Sequence, residues 1–198
     1  MPNFDSRYCL KCPYRNQAHL PPEWKQVRET VPLDVEDNES DILLVFQAPG
    51  GKEWAVGKPL QPTIKQGGTA GSRIAQSWVR RQIERASFNI TNAVQCFPGK
   101  GVSRDLAPDP KAVNACLGWL RDAMCARRYR KVIAFGDIAA QVVDIVVMLE
   151  DLHCEVQYAP HPNGGLRNKF LDDQWENVPR AVGQRRGQAR KENQQHQR

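Results

Sequence analysis

The stretch Asp41-Ile42-Leu43-Leu44-Val45-Phe46, closed by Gln47-Ala48-Pro49-Gly50-Gly51, decides how this chain folds. Its apolar run is too short for an amphipathic helix and does not alternate, which marks a strand buried on both faces. Such a strand belongs to a parallel sheet covered by helices, and the Pro/Gly-rich sequence after it is a loop at the strand's carboxyl end. In open α/β sheets, ligands bind at loops in that position.

Working outward, residues 72–86 (SRIAQSWVRRQIERA) bring Ile74, Trp78 and Ile83 near helical spacing, so a helix is expected there, after a long loop that reaches Gly71. Residues 88–94 alternate as a second strand. Asp109-Pro110 opens a helix to about residue 128, a capping residue followed by proline at the first helical position. Residues 131–135 (KVIAF) read as a third strand. Gly136-Asp137 opens a helix to about Leu149, its Asp placed to cap the free amides, and residues 155–158 form a fourth strand that ends at Pro160-His161-Pro162. The expected fold is α/β, a three-layer α/β/α sandwich with a central four-stranded parallel sheet.

The 198 residues, 40% hydrophobic and 25% charged, suit one domain with a sizeable core. That domain is expected over residues 1–182, its first 40 residues an irregular lead-in anchored by cysteines. From residue 183, GQRRGQARKENQQHQR is poor in core-forming residues and reads as a disordered basic tail. No run approaches the roughly 20 apolar residues of a membrane helix, and the opening MPNFDSRYCLKC lacks a signal-peptide pattern, so a cytoplasmic protein is expected. The formal charge of +6 favours polyanionic partners such as nucleic acid. Six cysteines, two of them as Cys9-x-x-Cys12, point to a reduced compartment and a metal or redox role.

The loops carry a family resemblance. Phe46-Gln47-Ala48-Pro49-Gly50-Gly51-Lys52-Glu53, then Gly57-Lys58-Pro59-Leu60 and Gly68-Thr69-Ala70-Gly71, resembles the first motif of the uracil-DNA glycosylase superfamily in its iron–sulfur, family 4-like branch. Thr91-Asn92-Ala93-Val94-Gln95-Cys96-Phe97-Pro98, residues 134–140 and His161-Pro162-Asn163 resemble its three later segments, in order. The resemblance spans about residues 9 to 168. It implies that Cys9, Cys12, Cys96 and Cys116 hold a [4Fe–4S] cluster by their thiolates, although the spacing from Cys96 to Cys116 is a few residues longer than usual. Four thiolates also suit zinc. Cys125 and Cys154 are expected to pack as small hydrophobes.

The reaction implied is cleavage of an N-glycosidic bond in DNA, on a nucleotide extruded from the stack, leaving an abasic site. By resemblance His161 donates to the oxygen of the departing base, with a proline on each side restricting its backbone. Asn92 offers both the donor and the acceptor that reading a pyrimidine edge requires. Gln47, backbone carbonyls and Glu53 are the groups left to hold a water, because Ala48 lacks the carboxylate other branches carry. Ala48, Pro49, Gly50 and Leu60 would line the base, while Gly51 and Lys52 would meet the DNA backbone, the paired glycines allowing close approach. Leu166 would wedge into the duplex and Arg167 contact it, with Lys58, Lys65, Arg73, Lys100, Arg104 and Lys169 as further basic residues near that face.

Leu60 stands where the family places a Phe that stacks on the base, and residues 61–68 are longer than the family's connection. Either another aromatic, such as Trp54, takes over and the base remains uracil, or the pocket accepts a bulkier base such as a modified cytosine of phage DNA. A monomer is expected, and a third reading is an inert relative that binds DNA or serves as an iron–sulfur scaffold.

Overall fold

Ile42–Phe46 forms strand β1, and each of its residues is buried. The computed structural model describes residues 5–25, 32–61, 68–163 and 168–180. β1 pairs in parallel with β2 (Asn89–Asn92) on one side and β3 (Lys131–Phe135) on the other, and β3 pairs in parallel with β4 (Glu155–Ala159). The order β2-β1-β3-β4 is a four-stranded parallel sheet, as the apolar runs require.

Around the sheet lie α1 (Pro22–Lys25), α2 (Gly51–Val56), α3 (Ala70–Arg81), α4 (Pro110–Cys125), α5 (Asp137–Glu150) and α6 (Asn168–Asp172). The pleat sends alternate residues of β1 to opposite faces. Ile42, Leu44 and Phe46 pack with Ile74 and Trp78 of α3 and with Leu171 and Trp175. Leu43 and Val45 pack instead with Leu120 and Met124 of α4 and with Val142, Val143 and Val146 of α5. Two helical layers thus enclose one sheet.

A third buried cluster joins the amino-terminal segment to this frame. It gathers Cys9, Cys12, Tyr14, Leu20, Leu33, Trp54, Val94, Cys96, Phe97, Ala112 and Cys116. Polar contacts fix the join: Asp109 N–H donates to Tyr14 Oη at 2.7 Å, and His19 Nε2 lies 2.8 Å from the Phe97 carbonyl oxygen. The irregular lead-in is therefore held by side chains, since it has little regular structure of its own.

Several boundaries depart from sequence expectation. The segment between β1 and Gly71 contains α2, closed by Gly57 in the left-handed conformation at φ 79°. The helix expected to reach residue 86 stops at Arg81 because Gln82 turns left-handed at φ 55°. α4 does begin at Asp109-Pro110, with Asp109 accepting from Lys111 N–H at 2.7 Å, but it ends at Cys125. Asp137 does not cap α5: Gly136 is the N-cap, and the Asp137 charge sits in the first turn, where it still favours the helix dipole. Cys125 is exposed on α4 instead of packing in the core, whereas Cys154 is partly buried against the α4–α5 side.

Candidate active site

The loops that carry the motifs leave the sheet at one level. Phe46 pairs with Asn92, and Phe135 pairs with Ala159. The Phe46 and Phe135 rings stack, 4.8 Å between centroids and 7° between planes. The chain after β1, Asn92 at the end of β2 and His161 two residues beyond β4 therefore rise from a common edge, the carboxyl end of a parallel sheet.

His161 is half-buried, and its position is set from two directions. A Cβ at Gly136 would stand 3.3 Å from His161 Cβ, so the glycine lets the imidazole lie against the end of β3. On the other side Arg73 of α3 donates to the carbonyl of Pro162, the next residue. Asn163 N–H donates to His161 Nδ1 at 3.3 Å, which makes Nδ1 an acceptor and leaves the proton of a neutral ring on Nε2. Burial lowers the His161 pKa and so favours that neutral form.

Asn92 is fully buried, its Nδ2 donating to the Pro59 carbonyl at 3.2 Å. Its Oδ1 is buried without a hydrogen-bond partner among the described residues. Leu60, beside Pro59, is 3% exposed and packs among the residues of the α3 side. Trp54, the other candidate for stacking on a base, is fully buried in the cysteine cluster.

The first loop is tightly occupied. The Gln47 carbonyl accepts from Val94 N–H at 3.0 Å, tying this loop to the one after β2. Ala48 packs against the cysteine cluster, and Pro49 is buried. A Cβ at Gly51 would stand 2.6 Å from the Trp24 ring, so the glycine lets the indole approach this backbone closely. Lys52 is exposed. Glu53 Oε1 accepts from Gln61 N–H at 3.0 Å. A Cβ at Gly50 would stand 2.8 Å from Glu53 Oε2 and 2.8 Å from Asp105 Oδ2. Asp105 lies between Cys96 and Cys116, on a stretch that none of the motifs covers, so no local pattern marks it.

The four cysteines of the proposed centre share one buried cluster. Burial pushes the Cys116 thiol up to about 12, against the Gln95 backbone amide that donates to its sulfur and lowers it. Burial also raises the Cys12 thiol, while Tyr14 N–H, 3.4 Å from Cys12 Sγ, and the Arg15 amide act in the opposite direction. Amides aimed at buried sulfurs suit thiolates bound to a cation. The four cysteines supply the donor type that four-thiolate ligation uses, but among the described residues no three His, Cys, Asp or Glu side chains close around a single ion position.

Leu166, Arg167 and Lys65 lie outside the described residues, as do residues 62–67 of the longer connection and the basic tail from 183. Lys58, Lys100, Arg104 and Lys169 are exposed, whereas Arg73 is engaged with the Pro162 carbonyl and acts on the His161 loop.

A parallel sheet between two helical layers, with histidine and asparagine loops at its carboxyl edge, defines an α/β protein built to bind a ligand there. The model of the uracil DNA glycosylase superfamily matches residues 33–180, and the chain belongs to that superfamily. It is similar to the type-4 uracil-DNA glycosylase of Pyrobaculum aerophilum, 28% identical over 135 residues, which are 68% of this chain and 59% of that protein. The match thus spans less than two thirds of that relative.

Proposed function

We propose that this chain is a monofunctional DNA glycosylase that hydrolyses the N-glycosidic bond of a flipped-out base, most simply uracil, and leaves an abasic site. The observation that carries the reading is the state of His161: Nδ1 accepts from Asn163 N–H, so Nε2–H is the group free to donate. The negative charge that develops on the departing base meets that donor at the sheet edge, and a neutral imidazole in a half-buried site supplies it without a counterion. Asn92 reads the base edge, offering the Oδ1 that lacks a partner among the described residues. Gln47 and Glu53 border the sugar beside Ala48, Pro49 and Gly50, and exposed Lys52 with the segment of Leu166 and Arg167 meets the duplex.

Cys9, Cys12, Cys96 and Cys116 hold the [4Fe–4S] cluster in this reading. When bound, the cluster supplies iron–thiolate bonds that tie the amino-terminal segment to the loop after β2 and to α4. The enzyme acts as a monomer in the cytoplasm, with residues 1–182 as one domain. Six cysteines, two of them as Cys9-x-x-Cys12, suit a reducing compartment, and among the described residues no helix is long and apolar enough to cross a membrane.

A bulkier base, such as a modified cytosine of phage DNA, is the second reading, and the burial of Trp54 favours it: with Leu60 in place of Phe, neither candidate presents an aromatic face to a pyrimidine. Duplex and single-stranded oligonucleotides with uracil, hypoxanthine or modified cytosines, assayed for alkali-labile sites, separate the two. Uracil release supports the first reading and selective release of a modified cytosine the second. DNA binding with no release from any substrate leaves the inert relative.

A further inference from the structure

Gly50 is where two carboxylates from distant parts of the chain meet. Asp105 Oδ2 and Glu53 Oε2 each lie 2.8 Å from the position a Cβ would take there. Glu53 reaches it from α2 with its other oxygen bound to Gln61 N–H. Asp105 arrives on a short hairpin bridged at Lys100 and Asp105, with Lys100 Nζ 3.0 Å from Oδ1. The hairpin thus fixes one oxygen of Asp105 on a lysine and turns the other to the first loop. The Asp105 side chain remains 37% exposed, so it is open to a ligand.

Gly50 lies four residues beyond Phe46, the residue paired with Asn92. Asn92 is fully buried, and its Oδ1 has no partner among the described residues, an acceptor that independently marks this edge for a ligand. Two carboxylates at Gly50 repel a phosphate, so the part of a nucleotide that suits this point is one that becomes positive. In glycosidic cleavage that part is the sugar.

Resting on the glycosylase reading, we propose that Asp105 is a catalytic residue: its carboxylate stabilises the cationic sugar and takes a proton from the attacking water, work that calls for a negative charge, which Gln47 and Ala48 do not carry. The C1′–N bond breaks with its electron pair leaving on the base, whose oxygen His161 Nε2–H meets. A lone pair of the water oxygen then forms the new C1′–O bond, and the water proton passes to Asp105 Oδ2 and on to solvent. The base, which leaves as its anion, takes a proton back from solvent, so the products are the free base and the abasic hemiacetal. The hairpin of Lys100 and Asp105 thereby brings a second carboxylate to a loop whose positions 47 and 48 carry none.

The test uses the full chain and two readouts. In single-turnover release from a uracil-containing duplex, Asp105→Asn is expected to be about 100-fold slower with DNA affinity little changed, and Asp105→Glu to recover part of the rate. In binding, the unsubstituted protein is expected to prefer duplexes carrying a pyrrolidine abasic analogue, cationic at the sugar, over the neutral tetrahydrofuran analogue, and Asp105→Asn to lose that preference. If the unsubstituted protein releases no base from any substrate in the uracil, hypoxanthine and modified-cytosine series, the glycosylase reading fails, while a cation preference that depends on Asp105 still upholds the charge role. Unaltered rate and preference in Asp105→Asn, or no preference and no release in the unsubstituted protein, overturn the proposal.

Discussion

Gly136 leaves room for His161: a Cβ at Gly136 would stand 3.3 Å from His161 Cβ and 3.6 Å from its Cδ2. Gly136 also has φ 87° and ψ 164°, a backbone conformation that side chains with a Cβ avoid. The residue that starts α5 therefore sets where the imidazole rests.

Gly136→Ala is expected to act on both stability and rate. Strain at this φ costs on the order of 1–3 kcal/mol, measured by urea denaturation. The added Cβ also pushes the imidazole away from the β3 end, so single-turnover base release falls by more than substrate affinity does. A variant of unchanged rate would show that His161 need not be held at this spot.

His161 sets the acid limb of the pH profile. Burial lowers its pKa, so the neutral ring that accepts from Asn163 N–H at Nδ1 persists as pH falls below the ordinary imidazole value of about 6.5, and this hold on its orientation is lost only as Nδ1 takes a proton at the lowered value. Base release should hold constant above neutral pH with respect to this group and decline at a midpoint below about 6.5. His161→Ala removes that limb and slows release by about 100-fold or more, with DNA binding retained. A limb that persists in His161→Ala would assign it to another group.

The cysteine cluster makes a compositional prediction. Purified anaerobically, the protein should carry about four iron and four sulfide per chain, and Cys116→Ser should lose most of both. Because Cys9, Cys12, Cys96 and Cys116 join three segments, the same variant should expose the amino-terminal segment to protease cleavage while the sheet keeps its circular dichroism. Stoichiometric zinc without sulfide would replace the iron–sulfur assignment.

The strands were legible because Ile42–Phe46 and Lys131–Phe135 are apolar runs bounded by polar or glycine residues, and burial on both faces leaves little choice of structure. Asp109-Pro110 likewise wrote the start of α4 into adjacent residues. What stayed hidden depends on contacts between remote segments. α2 begins at Gly50-Gly51 and closes at Gly57, and those glycines read as loop until Trp24 is seen packed over Gly51. Cys125 differs from Cys116 only by the helix face it occupies. For the site, His161 and Asn92 were readable from local motifs, whereas the meeting of Asp105 with Gly50 and the hold of Arg73 on Pro162 arise from chain reversal that no local pattern records.

Arg85 binds the wall of the site to the sheet edge. Its Nε lies 2.6 Å from Glu36 Oε1, and its terminal nitrogen lies 2.6 Å from both Glu36 Oε2 and the Leu60 carbonyl oxygen. Side-chain exposures of 22% for Arg85 and 17% for Glu36 leave the pair only partly screened. Burial pushes the Glu36 carboxyl up, but the hydrogen bond and charge of Arg85 outweigh it and hold the pKa below the ordinary carboxylate value. A depressed folded pKa stabilises above the unfolded value and is lost as pH falls through the folded one. Arg85→Met should therefore cost about 2 kcal/mol at neutral pH, and the gap from the unsubstituted protein should narrow in urea titrations carried below the folded pKa of Glu36. Since the substitution also frees the Leu60 carbonyl, the wall beside Asn92 loosens, and selectivity between uracil and bulkier bases should fall together with stability. Lost stability at unchanged selectivity would confine Arg85 to the fold.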